Sequence, residues 1–400
     1  MLQTHDPARK RWSILVVAYL CNMIFALIFQ SVPPLLNLIM DEMNLSYAQG
    51  GLLMSFFALP GIIVSIPAGL LADRYNQKTI GLTSLGLVII GQAIFIFAGS
   101  FPALALGRTI SGIGCMTLSV IAPQFLGQWF GGREMGRAMG IFNTSMPIGT
   151  ILSLNLLSLL GQNFGWRTSI WLTVALAFGV VLVFIFLYAA PAVLEKSGTR
   201  ESFFGGMRQI GVPIWILSAG WAVFNGSILA FFTFTPDLLK AGGFSIASAG
   251  FIVSLAMLPG LVSSPVIGYV IDRFDRKITI IMLATAVTAL MLAFIPGALN
   301  FSTTLIILIG ICTNVVPTST FALVSEVSGA QRQGLGFGIA ATCLNIGIFI
   351  VPALAGFTRD ITGSYPGSYL LMAGVMLLTT VALAVLGLIR IRRQKLQPDN

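Results

Sequence analysis

Long uncharged runs broken by short charged clusters make up this chain. No charge stands between Arg11 and Asp41, Glu42 and Asp73, Lys78 and Arg108, Arg108 and Arg133, Arg137 and Arg167, or Arg167 and Glu195. The same holds between Arg208 and Asp237, Lys240 and Asp272, Lys277 and Glu326, Arg332 and Arg359, and Asp360 and Arg390. Each of these eleven windows can hold the roughly 20 residues that a membrane-crossing helix needs. The window from Lys277 to Glu326 is double length, and Pro296, Gly297 and Asn300 punctuate it as a turn would. The pattern predicts an all-α membrane protein with twelve spans.

Composition narrows the class. Only 9% of the 400 residues are charged and 56% are apolar, besides 43 glycines. A soluble chain carries about 25% charge, so a soluble enzyme, a nucleic-acid binder and a disordered chain are all disfavoured. With the N-terminus inside, 18 of the 22 basic residues fall on the cytoplasmic side. Arg167, Lys240 and Arg359 alone remain in outer loops, and Arg108 lies within a span. That asymmetry predicts cytoplasmic N- and C-termini in a plasma (inner) membrane, and makes the net charge of +9 a topology signal. Trp12, Trp129 and Trp166 fall near span ends, as interface anchors do. The first span is too long for a signal-peptide core, and no small-residue cleavage site follows it. Cys21, Cys115, Cys312 and Cys343 lie inside spans and read as apolar core residues, without disulfide or zinc spacing. Pro60-Gly61, Pro147 and Pro259-Gly260 interrupt the helical pattern of spans 2, 5 and 8 and permit bends there.

The chain repeats itself at an offset of 199. Ser46, Gly51, Ser55 and Leu59-Pro60-Gly61 return as Ser245, Gly250, Ser254 and Leu258-Pro259-Gly260. Gly69, Asp73, Arg74 and Lys78 return as Gly268, Asp272, Arg273 and Lys277. Gly140-Ile141, Thr144 and Ile148-Gly149 return almost in step as Gly338-Ile339, Thr342 and Ile346-Gly347. Two six-helix bundles related by a parallel repeat are expected, over 1–190 and 212–400, with a cytoplasmic linker at 191–211. Transporters built this way place their site between halves near the bilayer midplane.

Gly69-Leu70-Leu71-Ala72-Asp73-Arg74-Tyr75-Asn76-Gln77-Lys78 resembles the loop 2–3 signature of the major facilitator superfamily, G-x-L-A-D-R-x-G-R-K. Gly268 to Lys277 is its echo, and Arg108-x-x-x-Gly112-x-Gly114 resembles the family's fourth-helix motif. Asn76 and Gln77 depart from the first signature, which points to a looser turn and charge network there. The resemblance implies alternating access, and a cytoplasmic latch built from Gly69, Asp73, Arg74, Lys78, Gly268, Asp272, Arg273 and Lys277. The plainer reading is that these are topology charges. Glu326, at the inner end of span 10, is either a partner of Arg273 or Lys277 or a free interfacial carboxylate.

Arg108 is about two turns inside span 4, where a charge facing lipid is costly. Three roles fit it: binding a substrate anion, assisting proton coupling as the family motif implies, or snorkelling as structural glue. With no acid at a span centre to pair with it, a substrate anion or backbone carbonyls are the expected partners. In the family, helices 1, 4, 7 and 10 face the path. Their candidate residues are Asn22, Gln30, Gln124, Trp221, Asn225, Asn314 and Thr318, with Asn143 and Asn345 on helices 5 and 11. Each amide has the alternative of an interhelical hydrogen bond. No metal or organic cofactor is expected, and the one candidate coupling ion is the proton. The absence of mid-span acids predicts weak dependence on a proton gradient unless the substrate itself carries the proton.

These readings converge on a small-molecule secondary transporter embedded in lipid, monomeric, and not an enzyme. Uptake of a polar neutral, zwitterionic or weakly anionic metabolite leads. Export of amphiphilic or drug-like compounds is the alternative, since the exporter motif of span 5 survives only at Pro147. A sensor or scaffold on the same fold, and a channel, are the readings from other classes.

Overall fold

The computed structural model describes residues 7–74, 76–130, 132–188, 211–260, 277–328 and 333–396. Among them there are helices and turns but no strand. Ten helices are long and apolar enough to cross a membrane, and two shorter apolar ones lie at Tyr47–Ile63 and Ile246–Gly260. They follow one another in the order that the uncharged windows predict.

Span 1 is α1 (Pro7–Phe29), a short 3-10 turn and α2 (Leu36–Met43). Spans 2, 3 and 4 are α3 (Tyr47–Arg74), α4 (Gln77–Ile96) and α5 (Phe101–Trp129). Span 5 is broken into α6 (Gly132–Asn143), α7 (Ser145–Leu152), a π turn at Ser153–Leu157 and α8 (Ser158–Phe164). Span 6 is α9 (Trp166–Leu187) and span 7 is α10 (Val212–Ala241). Span 8 starts as α11 (Ile246–Ser254). Then come α12 (Lys277–Phe294), α13 (Ser302–Ser328), α14 (Gln333–Thr362) and α15 (Tyr365–Leu396).

Prolines locate several of the breaks. A proline cannot donate to the carbonyl four residues before it, so the helix weakens there. Pro147 faces back to Asn143, where α6 ends. Pro259 faces back to Leu255, where span 8 tightens into a 3-10 turn at Leu255–Met257. Pro33 and Pro34 open the 3-10 turn of span 1. Pro60, by contrast, is absorbed within a continuous α3.

The chain forms two compact units. The first comprises Met1–Leu45, Phe56–Gly198 and Ile246–Phe251. The second comprises Ser46–Ser55, Thr199–Ser245 and Ile252–Asn400. Each therefore includes a short helix start from the opposite sequence repeat, and glycine is the reason. In the second unit a Cβ on Gly51 would stand 2.2 Å from the Pro352 carbonyl oxygen. In the first, a Cβ on Gly250 would stand 2.0 Å from the Leu154 carbonyl oxygen. Only a bare backbone permits contacts this close. Most of the expected linker, residues 191–210, lies outside the described residues.

Trp166 opens α9, at a span end, but faces the protein interior. It is 2% exposed, packs edge-on against Phe95, and donates its Nε1–H to Glu42 Oε2 at 2.7 Å. Trp12 is exposed as an anchor is, with its ring edge-on to Phe130.

Candidate functional site

Arg108 is the most buried charged side chain described, at 1% exposed. Its Nη1 donates to the Ile28 carbonyl at 2.9 Å and its Nη2 to the Phe29 carbonyl at 3.0 Å. These are the last carbonyls of α1, and the sequence explains why that of Phe29 needs a donor. Pro33 has no N–H to offer Phe29, so the helix ends with its negative pole exposed inside the bundle. The guanidinium satisfies that pole. It also lies 4.3 Å over the Phe57 ring, which packs against Phe29 and Phe25. Ser31 Oγ, 3.5 Å from Nη1, closes the group.

The other motif residues complete a three-sided contact. A Cβ on Gly112 would meet the Phe57 carbonyl oxygen at 2.2 Å, and one on Gly114 the Ser84 carbonyl oxygen at 2.3 Å. Arg108, Gly112 and Gly114 thus join α5 to α1, α3 and α4 within the first unit.

The candidate amides divide by what they bond. Asn22 donates to Ser145 Oγ at 2.7 Å, an interhelical bond between α1 and α7. Asn225, Asn314 and Asn345 each donate an amide N–H to the carbonyl four residues earlier, at 2.7, 2.7 and 3.0 Å. A carbonyl only accepts, so the NH2 group must face it and the amide oxygen is left for another donor. Asn345 Oδ1 is buried with no hydrogen-bond partner among the described residues. Gln30 Oε1 and Gln124 Oε1, in the first unit, share that condition. Asn143 ends α6 and is exposed. Trp221 stacks on Phe224 at 5.6 Å and meets Phe321 edge-on. The Thr318 side chain lies outside the described residues.

Of the latch residues, Lys277 forms an ion pair with Glu326, one of the two pairings expected for that acid. Lys78 Nζ donates to the Ile185 carbonyl at 3.2 Å. The side chains of Asp73 and Arg74, the surroundings of Gly69, and residues Gly268, Asp272 and Arg273 lie outside the described residues. Asn76, which departs from the first loop signature, has a local role of its own. Its Oδ1 accepts the Lys78 N–H at 2.9 Å and caps α4. Its φ of −61° asks for no glycine. Gln77 is buried and accepts from the Tyr188 hydroxyl at 3.3 Å.

One buried acid is hidden from the charge pattern. That pattern ends a span at Asp237, but α10 runs on to Ala241 and encloses the residue at 6% exposed. The helix-stop signal Gly242-Gly243, with Gly243 at φ +93°, is the clue that the helix continues past the charge.

Comparison with known proteins places the chain. The family model described as Major Facilitator Superfamily matches residues 18–298 and 216–400. The lysosomal dipeptide transporter MFSD1 of Danio rerio is 22% identical over 90% of this chain and 83% of its own. The hexuronate transporter of Bacillus subtilis is 22% identical over 86% of this chain and 87% of its own. Among solved structures, a mutant of the nucleoside transporter NupG superposes with a TM-score of 0.80 at 14% identity, over 93% of this chain and 99% of that one.

Proposed function

This chain belongs to the major facilitator superfamily, and on that premise we propose that it takes up a small polar solute by alternating access. The transported class is a neutral or zwitterionic metabolite rich in N–H or O–H donors. The observation that carries this reading is the set of buried amide oxygens, Gln30 Oε1, Gln124 Oε1 and Asn345 Oδ1, still open to a donor. A buried acceptor without a donor costs about 1–3 kcal/mol, so a solute that supplies one recovers that cost. Support for an anionic substrate is weaker, because the Arg108 guanidinium is engaged by the end of α1. The relatives described above are transporters of dipeptides, nucleosides and hexuronates; all three solutes are donor-rich, and the first two are also zwitterionic or neutral. Location in the inner membrane with both termini inside, and action as a monomer, belong to the same proposal.

Uptake into proteoliposomes tests it, with a panel of radiolabelled dipeptides, nucleosides, sugars, sugar acids and lipophilic amines. Saturable entry of a donor-rich solute is the expected result. Gln30→Ala, Gln124→Ala or Asn345→Ala should then raise KM by about two- to tenfold, the value of one neutral hydrogen bond. Flux confined to the lipophilic amines would overturn uptake in favour of amphiphile export.

A further inference from the structure

Four helix ends of the second unit meet at Asp237. Its carboxyl is the only buried acid among the described residues, and stands four residues before the end of α10. The Tyr365 hydroxyl, at the start of α15, donates to its Oδ2 at 2.7 Å. The Tyr47 ring, at the start of α3, meets the Tyr365 ring edge-on at 6.5 Å beside the same carboxyl. Arg359, in the last turn of α14, lies 4.1 Å over the Tyr365 ring and 4.9 Å over the Tyr47 ring. Its neighbour Asp360 accepts the backbone N–H groups of Tyr47 and Ala48, both at 2.8 Å. The remaining ionisable groups near Asp237 are Lys240, on the same helix, and Tyr369, whose hydroxyl is bonded to Thr235 at 2.8 Å.

The choice of partners matters. A guanidinium or ammonium can only donate, so it favours the charged carboxylate and cannot accept the proton of the neutral acid. A phenol both donates and accepts. Tyr365 and Tyr47 can donate to the ionised carboxylate and can accept from the protonated acid. The site is therefore satisfied in two protonation states. The consequences of those states differ. The ionised carboxylate attracts Arg359 and accepts a hydrogen bond from the Tyr365 hydroxyl, with the Tyr47 phenol beside it. The protonated acid has lost that attraction and uses its own hydrogen on one phenol. The hold on Tyr47, and with it on the start of α3, weakens when the proton binds.

We propose that Asp237 is the proton-binding site through which this transporter couples solute movement to a proton gradient, with Tyr47, Tyr365 and Arg359 reading its charge. The proton adds to a carboxylate oxygen from water and returns to water when the site is next opened, with no other group consumed. The inference rests on the transport reading above, and it replaces the expectation of weak gradient dependence. That expectation takes Asp237 to lie outside its span.

Two measurements test it. The first needs no substrate: infrared difference spectra of the protein in liposomes, recorded as pH is varied. A protonated-carboxyl band should titrate in the native protein, vanish in Asp237→Asn and shift in Asp237→Glu. Tyr365→Phe should move its midpoint upward, because the lost donor stabilises the charged form. Failure of Asp237→Asn to remove a titrating band, or absence of the band in the native protein, would overturn the proposal. The second uses the panel solute that gives saturable uptake. An inward gradient of about one pH unit supports about tenfold accumulation at one proton per solute. Asp237→Asn should lose that accumulation yet keep solute exchange across the membrane in the absence of a gradient. Equal loss of both would assign Asp237 a structural role and overturn the coupling. A titrating Asp237 band without uptake of any panel solute would count against the substrate class alone and would support the proton site.

Discussion

Arg108 shows what a single residue's place in the sequence conveys. Its depth in span 4 and its need for a partner follow from the charge pattern, and the structure puts it where that pattern does. The partners come from another helix, 80 and 79 positions away in sequence, and are its last two carbonyls, that of Phe29 left open by Pro33. Its removal would strip the Phe29 carbonyl of its donor and the Ile28 carbonyl of one, in a buried interior. Each bond from a charged donor is worth about 1.5–3 kcal/mol, so Arg108→Ala should lower thermal stability in detergent well below the native protein. Arg108→Lys should restore part of it, since an ammonium reaches one carbonyl more readily than two. A native melting temperature for Arg108→Ala would show that the clamp does not hold α1. The same scale explains Asn76: against the family signature it reads as a loss, yet its side chain caps the next helix.

At the level of elements, α5 is a packing spine that depends on bare backbone. Gly112 is pressed against the Phe57 carbonyl, whereas Gly179 of α9 has nothing within 4 Å of an added Cβ. Alanine is favoured over glycine in a helix by about 0.8–1.0 kcal/mol, so Gly179→Ala should hold or raise the melting temperature. Gly112→Ala gains the same propensity but must push α3 away, and should lower it. Matched thermal scans of the two variants check this, and equal shifts would contradict the close approach. The breaks at Asn143 and Leu255 lie four residues before a proline and are legible in the sequence as bends. The π turn at Ser153–Leu157 follows no such pattern and carries no signal along the chain.

On the scale of the whole molecule the duplication becomes physical. Gln162 accepts the Ala247 N–H at 3.0 Å in the first unit. Asp360, its counterpart 198 residues later, accepts the Ala48 N–H in the second. The repeat thus places a capping oxygen at an equivalent helix start in each unit. The Lys277–Glu326 pair is partly exposed, and such pairs contribute little to stability, about 1 kcal/mol or less. Charge reversal at Glu326 alone (Glu326→Lys) should therefore leave melting nearly unchanged while altering the rate of transport. The exchanged pair, Lys277→Glu with Glu326→Lys, should recover the rate. Failure of the exchange to restore it would show that the pair has no latch role.

Class, the order of the twelve apolar segments, the duplication and the family all follow from the linear pattern of residues. They do so because charge is expelled from lipid and because small residues mark where helices touch. The partners follow from packing in three dimensions. Packing assigns Arg108 to carbonyls, turns three asparagines back onto their own helices, and encloses Asp237 among two phenols and the Arg359 guanidinium. Burial of a helix end depends on which other ends meet it in space. A scarcity of charge along the chain says where a charge stands, and only packing says what it faces.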